Sequence, residues 1–154
     1  MKVLVSNCLL GVNCRYNGET RKNEKVLEFL KDKAVIGVCP ELAGGLPIPR
    51  DPSEIVGNKV ISKSGKDVTE EYLKGASIAL KLAQENNVDL VIFKAKSPSC
   101  GVGLIHDGSF SGNIINKVLT EFFACGKLNF RQGTRISFYI CIEPVRVCRM
   151  TLFL

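Results

Sequence analysis

Three of the seven cysteines stand where three predicted strands end, each beside glycine or proline residues. Cys8 ends the first apolar strand, Cys39 ends the second and Cys100 follows the third. The carboxyl ends of parallel strands meet at one edge of a sheet, where ligands bind. We therefore expect these three thiols to lie together, although 31 and 61 residues separate them along the chain. Converging thiolates are suited to binding a metal or to nucleophilic catalysis.

The spacing of the cysteines narrows the choice of metal site. An odd number of cysteines and the lack of a secretory signal argue against a disulfide framework. A structural zinc site usually has four ligands and a C-x2-4-C pair, and this chain has no such pair. An iron–sulfur cluster with three protein ligands would keep one iron open as a Lewis acid. The plain alternative is that each cysteine is a small buried apolar side chain.

Two residues near these cysteines are candidates for proton transfer and substrate positioning. Glu41 lies two residues after Cys39, and a carboxyl in a partly dry pocket can exchange protons near neutral pH. Its alternative role is an ion pair with Arg50, which stands among prolines. Ser97 precedes Pro98 and is either a hydrogen-bond donor to substrate or water, or a turn-stabilising serine.

The elements that must position these residues are predicted from the hydrophobic pattern. Short apolar runs rich in Val, Leu and Ile predict buried strands, and the run 67–87 with one apolar face predicts a long helix. Strands separated by helices predict an α/β fold, a single Rossmann-like three-layer domain with a mostly parallel sheet. The predicted strands are 2–10, 34–39 and 88–95, the predicted helices are 22–32 and 67–87, and the segments 11–21, 40–52 and 97–112 are predicted to be irregular.

The chain divides by composition at residue 112. Residues 1–112 hold 15 basic and 13 acidic residues, whereas 113–154 hold 6 and 2. We interpret 1–112 as the core of the domain that would bind an iron–sulfur cluster, and 113–154 as a C-terminal segment of different composition, one explanation of which is an out-of-frame end. Within that segment, 114–123 could form a helix and 136–142 a strand.

Composition also bears on partners and location. The net charge of +6 lies mainly in the last quarter of the chain, and aromatic residues are 7% with no Trp, so we do not expect a nucleic-acid partner. No apolar run approaches the ~20 residues of a membrane helix, and the apolar start is too short for a signal peptide. We expect no membrane partner and a cytoplasmic location.

Several separate motifs occur in order along the first 112 residues. They are Ser6–Gly11 (SNCLLG), Cys14–Gly18 (CRYNG), Cys39–Arg50 (CPELAGGLPIPR), Lys96–Gly101 (KSPSCG) and Asp107–Gly112 (DGSFSG). Together they resemble the 2-thiouracil desulfidase family. Five motifs in the right order make this resemblance far more specific than a single cysteine pair.

The resemblance implies a cofactor and a reaction. It implies a [4Fe–4S] cluster held by Cys8, Cys39 and Cys100, with one iron not ligated by protein. The implied reaction is the desulfuration of a thiolated pyrimidine such as 2-thiouracil, without net redox change, releasing sulfide and the oxo base. Glu41 and Ser97 suit the catalytic roles of such a reaction. The implied partner is therefore a small-molecule thiolated nucleobase.

The chain departs from the family pattern at a few positions. Cys14 falls where family members can carry other residues, so we leave it out of the ligand set and expect it to pack nearby. His106, the only histidine, stands where the family tends to have an aromatic residue, and we expect it beside the site or at the surface. After Gly112 the resemblance ends, and three cysteines match no motif: Cys125, Cys141 and Cys148.

Two functions of other classes remain open at this point. The first is a non-enzymatic iron–sulfur or metal sensor domain, in which the cysteines hold or sense the metal. The second is a small structural α/β domain with incidental buried thiols.

Overall fold

The computed structural model describes residues 1–100, 103–117, 135–142 and 146–153. Along the chain, the described helices and strands are β1 (Lys2–Ser6), a 3₁₀ helix (Asn7–Leu10), α1 (Glu24–Leu30), β2 (Ala34–Val38), α2 (Pro40–Ala43), β3 (Ser53–Val56), β4 (Lys59–Ser62), α3 (Thr69–Glu85), β5 (Leu90–Lys94), β6 (Gly103–His106), β7 (Ile114–Lys117), β8 (Arg135–Ile142) and β9 (Arg146–Phe153). No helix in these ranges is long and apolar enough to span a bilayer.

A five-stranded sheet forms the centre of the fold. Its strand order is β2-β1-β5-β8-β9, and all neighbours are parallel except β8 and β9. The carboxyl ends of β2, β1 and β5 therefore lie along one edge, with Ser6 paired to Val38 and the Lys94 backbone N–H donating to Ser6 Oγ over 3.1 Å. The predicted α/β class with a mostly parallel sheet is confirmed.

Helices cover both faces of this sheet, which gives three layers. Successive strand residues point to opposite faces, so Leu4 packs with Ala79 and Ala83 of α3, while Val3 and Val5 pack on the opposite face. That second face meets α1 through Val26 and Leu30. A third apolar cluster lies under the hairpin of β3 and β4. Its members are Leu46, Ile55, Val60, Val68, Tyr72 and Ile105.

The long predicted elements are confirmed and several short ones were wrong. The strand predicted over 2–10 ends at Ser6 and continues as a 3₁₀ helix, closed by Gly11 in the left-handed region at φ 100°. The segment 40–52 is not wholly irregular, because Pro40 stands in the first turn of α2, where its missing N–H costs nothing. The hairpin of β3 and β4 was missed, although Gly57-Asn58 between them is a hairpin signal.

The region after Cys100 also differs from the prediction. The segment 97–112 was predicted to be a loop, but it contains β6, which pairs antiparallel with β7. The start of the helix predicted over 114–123 is therefore a strand, and 118–123 lie outside the described residues. Pairing with β6 outweighs the weak helical pattern of so short a segment as 114–117. The strand predicted over 136–142 is confirmed as β8.

Two glycines let α2 lie directly against α3. A Cβ on Gly75 would stand 2.0 Å from the Pro40 carbonyl oxygen, and a Cβ on Gly44 would stand 1.9 Å from the Glu71 carbonyl oxygen. Any side chain at either position would push the helices apart. Because α2 begins directly after Cys39 and carries Glu41, this close contact sets the position of both residues.

Candidate active site

A cavity of about 170 Å³ opens at the carboxyl edge of β1, β2 and β5. All five residues singled out by the sequence analysis line it: Cys8, Cys39, Glu41, Ser97 and Cys100. The parallel sheet thus brings together side chains that are far apart along the chain, at the edge where such folds bind ligands.

The loop that carries Cys8 is held by its own backbone and by a neighbouring strand. The Cys8 carbonyl oxygen accepts hydrogen bonds from Thr20 Oγ1 and from the Arg21 N–H, both over 2.9 Å. A Cβ on Gly37 of β2 would stand 2.2 Å from Asn7 Oδ1, so the glycine leaves the space that Asn7 occupies. The backbone on both sides of Cys8 is therefore fixed before any ligand binds.

Cys14 lies between Cys8 and Cys39 and hydrogen-bonds to both. The Cys14 thiol is the main cause that lowers the pKa of Cys8, with a further contribution from the charge of Lys94. It is also the main cause that lowers the pKa of Cys39 to about 7. The same two hydrogen bonds raise the pKa of Cys14 itself. Cys8 and Cys39 are therefore the thiols that this network favours as thiolates, the form that binds metal.

Cys100 differs from Cys8 and Cys39 because its surroundings favour the protonated thiol. Burial raises the pKa of Cys100 to about 12, partly offset by hydrogen bonds from Ser6 and Ser99. Ser99 Oγ lies 3.5 Å from Cys100 Sγ. A thiol in such a place is protonated in the free protein, and a metal would displace its proton on binding.

Both carboxylate oxygens of Glu41 are hydrogen-bonded. Oε1 accepts from Ser97 Oγ over 3.1 Å and from Ser99 Oγ over 2.9 Å. Oε2 accepts from Arg50 Nε over 2.8 Å and also from Arg50 Nη2. Glu41 thus forms the ion pair with Arg50 that was the alternative role for it, and it also contacts the serines of the Cys100 loop. Its role in proton transfer stays a prediction.

Arg50 ties together the loops around the cavity. Its Nη2 donates to the Cys14 carbonyl oxygen over 3.1 Å and its Nη1 to the Pro47 carbonyl oxygen over 3.1 Å. Its backbone N–H donates to the Tyr16 carbonyl oxygen over 2.8 Å. Only 6% of the Arg50 side chain and 13% of the Glu41 side chain are exposed. A pair this well shielded from water holds its geometry more firmly than an exposed one.

The donor set suits a cluster of several metal atoms better than a single ion. Within the described ranges no three His, Cys, Asp or Glu side chains are close enough to hold one metal ion. Four free thiols nevertheless stand around one cavity: Cys8, Cys14, Cys39 and Cys100. In an iron–sulfur cluster each iron takes its own thiolate, so the ligands are spread around the cluster rather than gathered at a point.

A second cavity, of about 300 Å³, adjoins the first and is mainly basic. Five cationic side chains line it: Arg15, Arg21, Lys22, Lys94 and Lys96. Lys96 has a left-handed backbone, φ 61°, directly before the Ser97 loop, a conformation that non-glycine residues adopt mostly where surrounding structure enforces it. These cations place positive potential beside the thiols, which favours anionic groups there.

Three further residues line the cavity beside those predicted to act in it. Cys14 was left out of the ligand set but hydrogen-bonds to two of the three proposed ligands. Ser99, two residues after Ser97, contacts both Glu41 and Cys100. His106 was expected beside the site or at the surface, and it lines both cavities. The only signal for these residues in the sequence is that each lies in, or directly beside, one of the five motifs.

Comparison with known proteins decides the family. The model of the family described as 2-thiouracil desulfurase matches residues 3–124. The chain belongs to this family. As a member of it, the protein is an enzyme with an α/β fold.

Two individual proteins are similar to this chain. The uncharacterized protein YbbK of Bacillus subtilis (strain 168) is 45% identical, over 73% of this chain and 82% of its own length. The solved structure of the [4Fe–4S]-dependent thiouracil desulfidase TudS is 40% identical and covers 77% of this chain and 80% of its own, with a TM-score of 0.72.

Proposed function

We propose that this protein is a [4Fe–4S]-dependent desulfidase that removes the sulfur of a thiolated pyrimidine such as 2-thiouracil. The observation that carries the proposal is the meeting of thiols with the Glu41 carboxylate and two serine hydroxyls on one cavity wall. The family membership and the similarity to TudS support the same reaction.

We propose Cys8, Cys39 and Cys100 as the protein ligands of the cluster, which leaves one iron without a protein ligand. The free thiols and the lowered pKa values of Cys8 and Cys39 support this assignment. When bound, the cluster supplies a Lewis-acidic iron that can polarise a carbon–sulfur bond. Cys14 then serves as a hydrogen-bonding neighbour of two ligands.

The reaction needs one water and no redox partner. The water adds its oxygen to the carbon that bears the sulfur, and sulfide leaves, so no electron is gained or lost overall. Glu41 takes the proton of the water and returns it to the leaving sulfur or to the ring nitrogen. Ser97 donates a hydrogen bond that orients water or substrate, and Arg50 keeps the carboxylate aimed at the serines.

The remaining parts of the proposal concern substrate and location. The partner is a small thiolated nucleobase, which binds at the cavity that the thiols line. We propose a cytoplasmic location, which is where a set of reduced thiols suited to binding a cluster is expected.

Anaerobic reconstitution tests the proposal. The protein treated with iron and sulfide should become brown and bind about four irons per chain. It should then release sulfide and uracil from 2-thiouracil. Cys39→Ala should abolish iron binding, whereas Cys125→Ala, which alters a cysteine outside every motif, should retain it.

Two results would count against the proposal. Full cluster content in Cys39→Ala would show that the ligand set is wrong. Iron loading without any turnover of thiouracil would favour the alternative, a non-enzymatic iron–sulfur or metal sensor.

A further inference from the structure

His106 is the last residue of β6, and it lines both cavities. The preceding residue, Ile105, is 3% exposed and packs into the apolar cluster that contains Val60 and Tyr72. Because neighbouring residues of a strand point to opposite faces, the His106 ring is directed away from that cluster. The strand thus presents an imidazole on the side where the thiols and Glu41 also lie.

The Nδ1 atom of His106 is buried and has no hydrogen-bond partner among the described residues. No other side-chain nitrogen or oxygen in those ranges is buried in this way. Leaving such a group unpaired costs free energy, which a suitable ligand atom would recover. An unpartnered atom at the wall of a site is therefore a sign of a contact that is completed on binding.

We infer that His106 is a specificity-determining residue, whose Nδ1 hydrogen-bonds the polar edge of the pyrimidine ring. This inference rests on the proposed function. A thiolated pyrimidine whose sulfur is directed at the thiols presents a second ring N–H and a carbonyl away from that sulfur. A neutral imidazole nitrogen can accept from the N–H or donate to the carbonyl, depending on its tautomer. A ring that lacks this edge leaves Nδ1 unpaired and binds less tightly.

Three substitutions at this position separate the hydrogen bond from the shape of the ring. His106→Phe keeps an aromatic ring and removes both nitrogens. His106→Asn places an amide close to the Nδ1 position, whereas His106→Gln places one close to the Nε2 position. Ser111→Ala, an exposed change in the turn between β6 and β7, is the matched control.

The measurements are steady-state kinetics on 2-thiouracil and inhibition by two ligands. His106→Phe should raise KM about tenfold with kcat nearly unchanged, as expected when one hydrogen bond made equally in ground and transition states is lost. His106→Asn should restore most of the affinity, and His106→Gln should not. The inhibition constant of uracil should rise in His106→Phe by the same factor, while that of 2-pyridone, which lacks the second N–H and carbonyl, should not change.

Stability separates this role from a structural one. His106→Phe removes an unpartnered buried nitrogen, so its free energy of unfolding should equal or exceed that of the unaltered protein. Equal KM and uracil inhibition in His106→Phe would overturn the inference, and so would a loss of stability with kcat falling equally in all three variants. If the unaltered, iron-loaded protein releases no sulfide from 2-thiouracil, the proposed function itself fails. That result needs no variant, so it is distinct from a failure of the inference about His106.

Discussion

One carboxylate oxygen of Glu41 accepts a hydrogen bond from Arg50 Nε over 2.8 Å. The other carboxylate oxygen accepts from the hydroxyls of Ser97 and Ser99, in the loop that carries Cys100. This division matters because each oxygen then has a separate task. The Arg50 side fixes the carboxylate in place, and the serine side is the one to which the proposed function assigns proton transfer. It also links α2 to the loop after β5, the two segments that carry Cys39 and Cys100.

Glu41→Gln should separate cluster binding from turnover. The amide keeps the size of the side chain and can still accept from a serine, but it cannot take a proton from water. Iron content should stay at the level of the unaltered protein, and kcat for sulfide release should fall at least ~100-fold. Glu85→Gln, on the exposed end of α3, is the control. Retained turnover in Glu41→Gln would remove Glu41 from its proposed role.

Arg50→Ala should destabilise the cluster-free protein by about 3 kcal/mol, because it leaves a shielded carboxylate without its cation. Urea unfolding of the single variants and of the double variant Glu41→Ala/Arg50→Ala measures this. The double variant should be more stable than the sum of the single losses predicts. Additive losses would show that the pair contributes nothing as a pair. Arg50→Lys should recover only part of the stability, since an ammonium cannot reproduce the fork of hydrogen bonds.

The thiols should differ in their reaction with iodoacetamide in the cluster-free protein. The pKa of Cys39 is about 7 and that of Cys100 is about 12. Because the thiolate is the reactive form, the alkylation rate of Cys39 should rise about tenfold from pH 6 to pH 8, while Cys100 stays almost unlabelled. Peptide mapping by mass spectrometry measures both rates at once.

The same assay tests the role of Cys14. Since its hydrogen bond is the main cause of the lowered pKa of Cys39, Cys14→Ala should move the midpoint of Cys39 alkylation to higher pH. An unchanged midpoint would contradict the hydrogen-bond arrangement of the three thiols. Equal labelling of Cys39 and Cys100 in the unaltered protein would contradict the burial of Cys100.

Gly75→Ala should disturb the site from a distance. The added Cβ meets the Pro40 carbonyl oxygen, so α2 must move away from α3 and take Cys39 and Glu41 with it. We expect a loss of stability of roughly 1–3 kcal/mol and a lower iron content after reconstitution. Ser77→Ala, on the exposed face of the same helix, should change neither. Normal iron content in Gly75→Ala would show that the contact between α2 and α3 does not position Cys39.

The parts of the fold that could be predicted are those with enough residues to show a period. The 17 residues of α3 carry a clear apolar face, and β1 and β5 are continuous apolar runs. The hairpins of β3–β4 and β6–β7 are made of four-residue strands, too short for a period to stand out from a loop. Their existence depends on pairing with a partner, which a single segment does not reveal.

Part of the candidate site could be predicted from the predicted fold. Cys8, Cys39 and Cys100 could be brought together in advance because strand ends of a parallel sheet share an edge. For Cys14 the sequence predicts only that it packs nearby. Its hydrogen bonds to Cys8 and Cys39 depend on how the loop after the 3₁₀ helix folds back, which is decided by backbone bonds such as that from the Arg21 N–H to the Cys8 carbonyl. The position of His106 at the cavity wall likewise depends on the hairpin of β6 and β7, although the sequence predicts a loop up to residue 112.

The order of strands along the central sheet has a consequence for biogenesis. Cys8 and Cys39 leave the ribosome early, but Cys100 reaches them only when β5 docks in parallel beside β1. A nascent chain that has not yet formed that pairing brings together two of the three proposed ligands and lacks the third. With the proposed ligand set, maturation with iron and sulfur therefore waits until the first hundred residues have been made and have adopted their final topology.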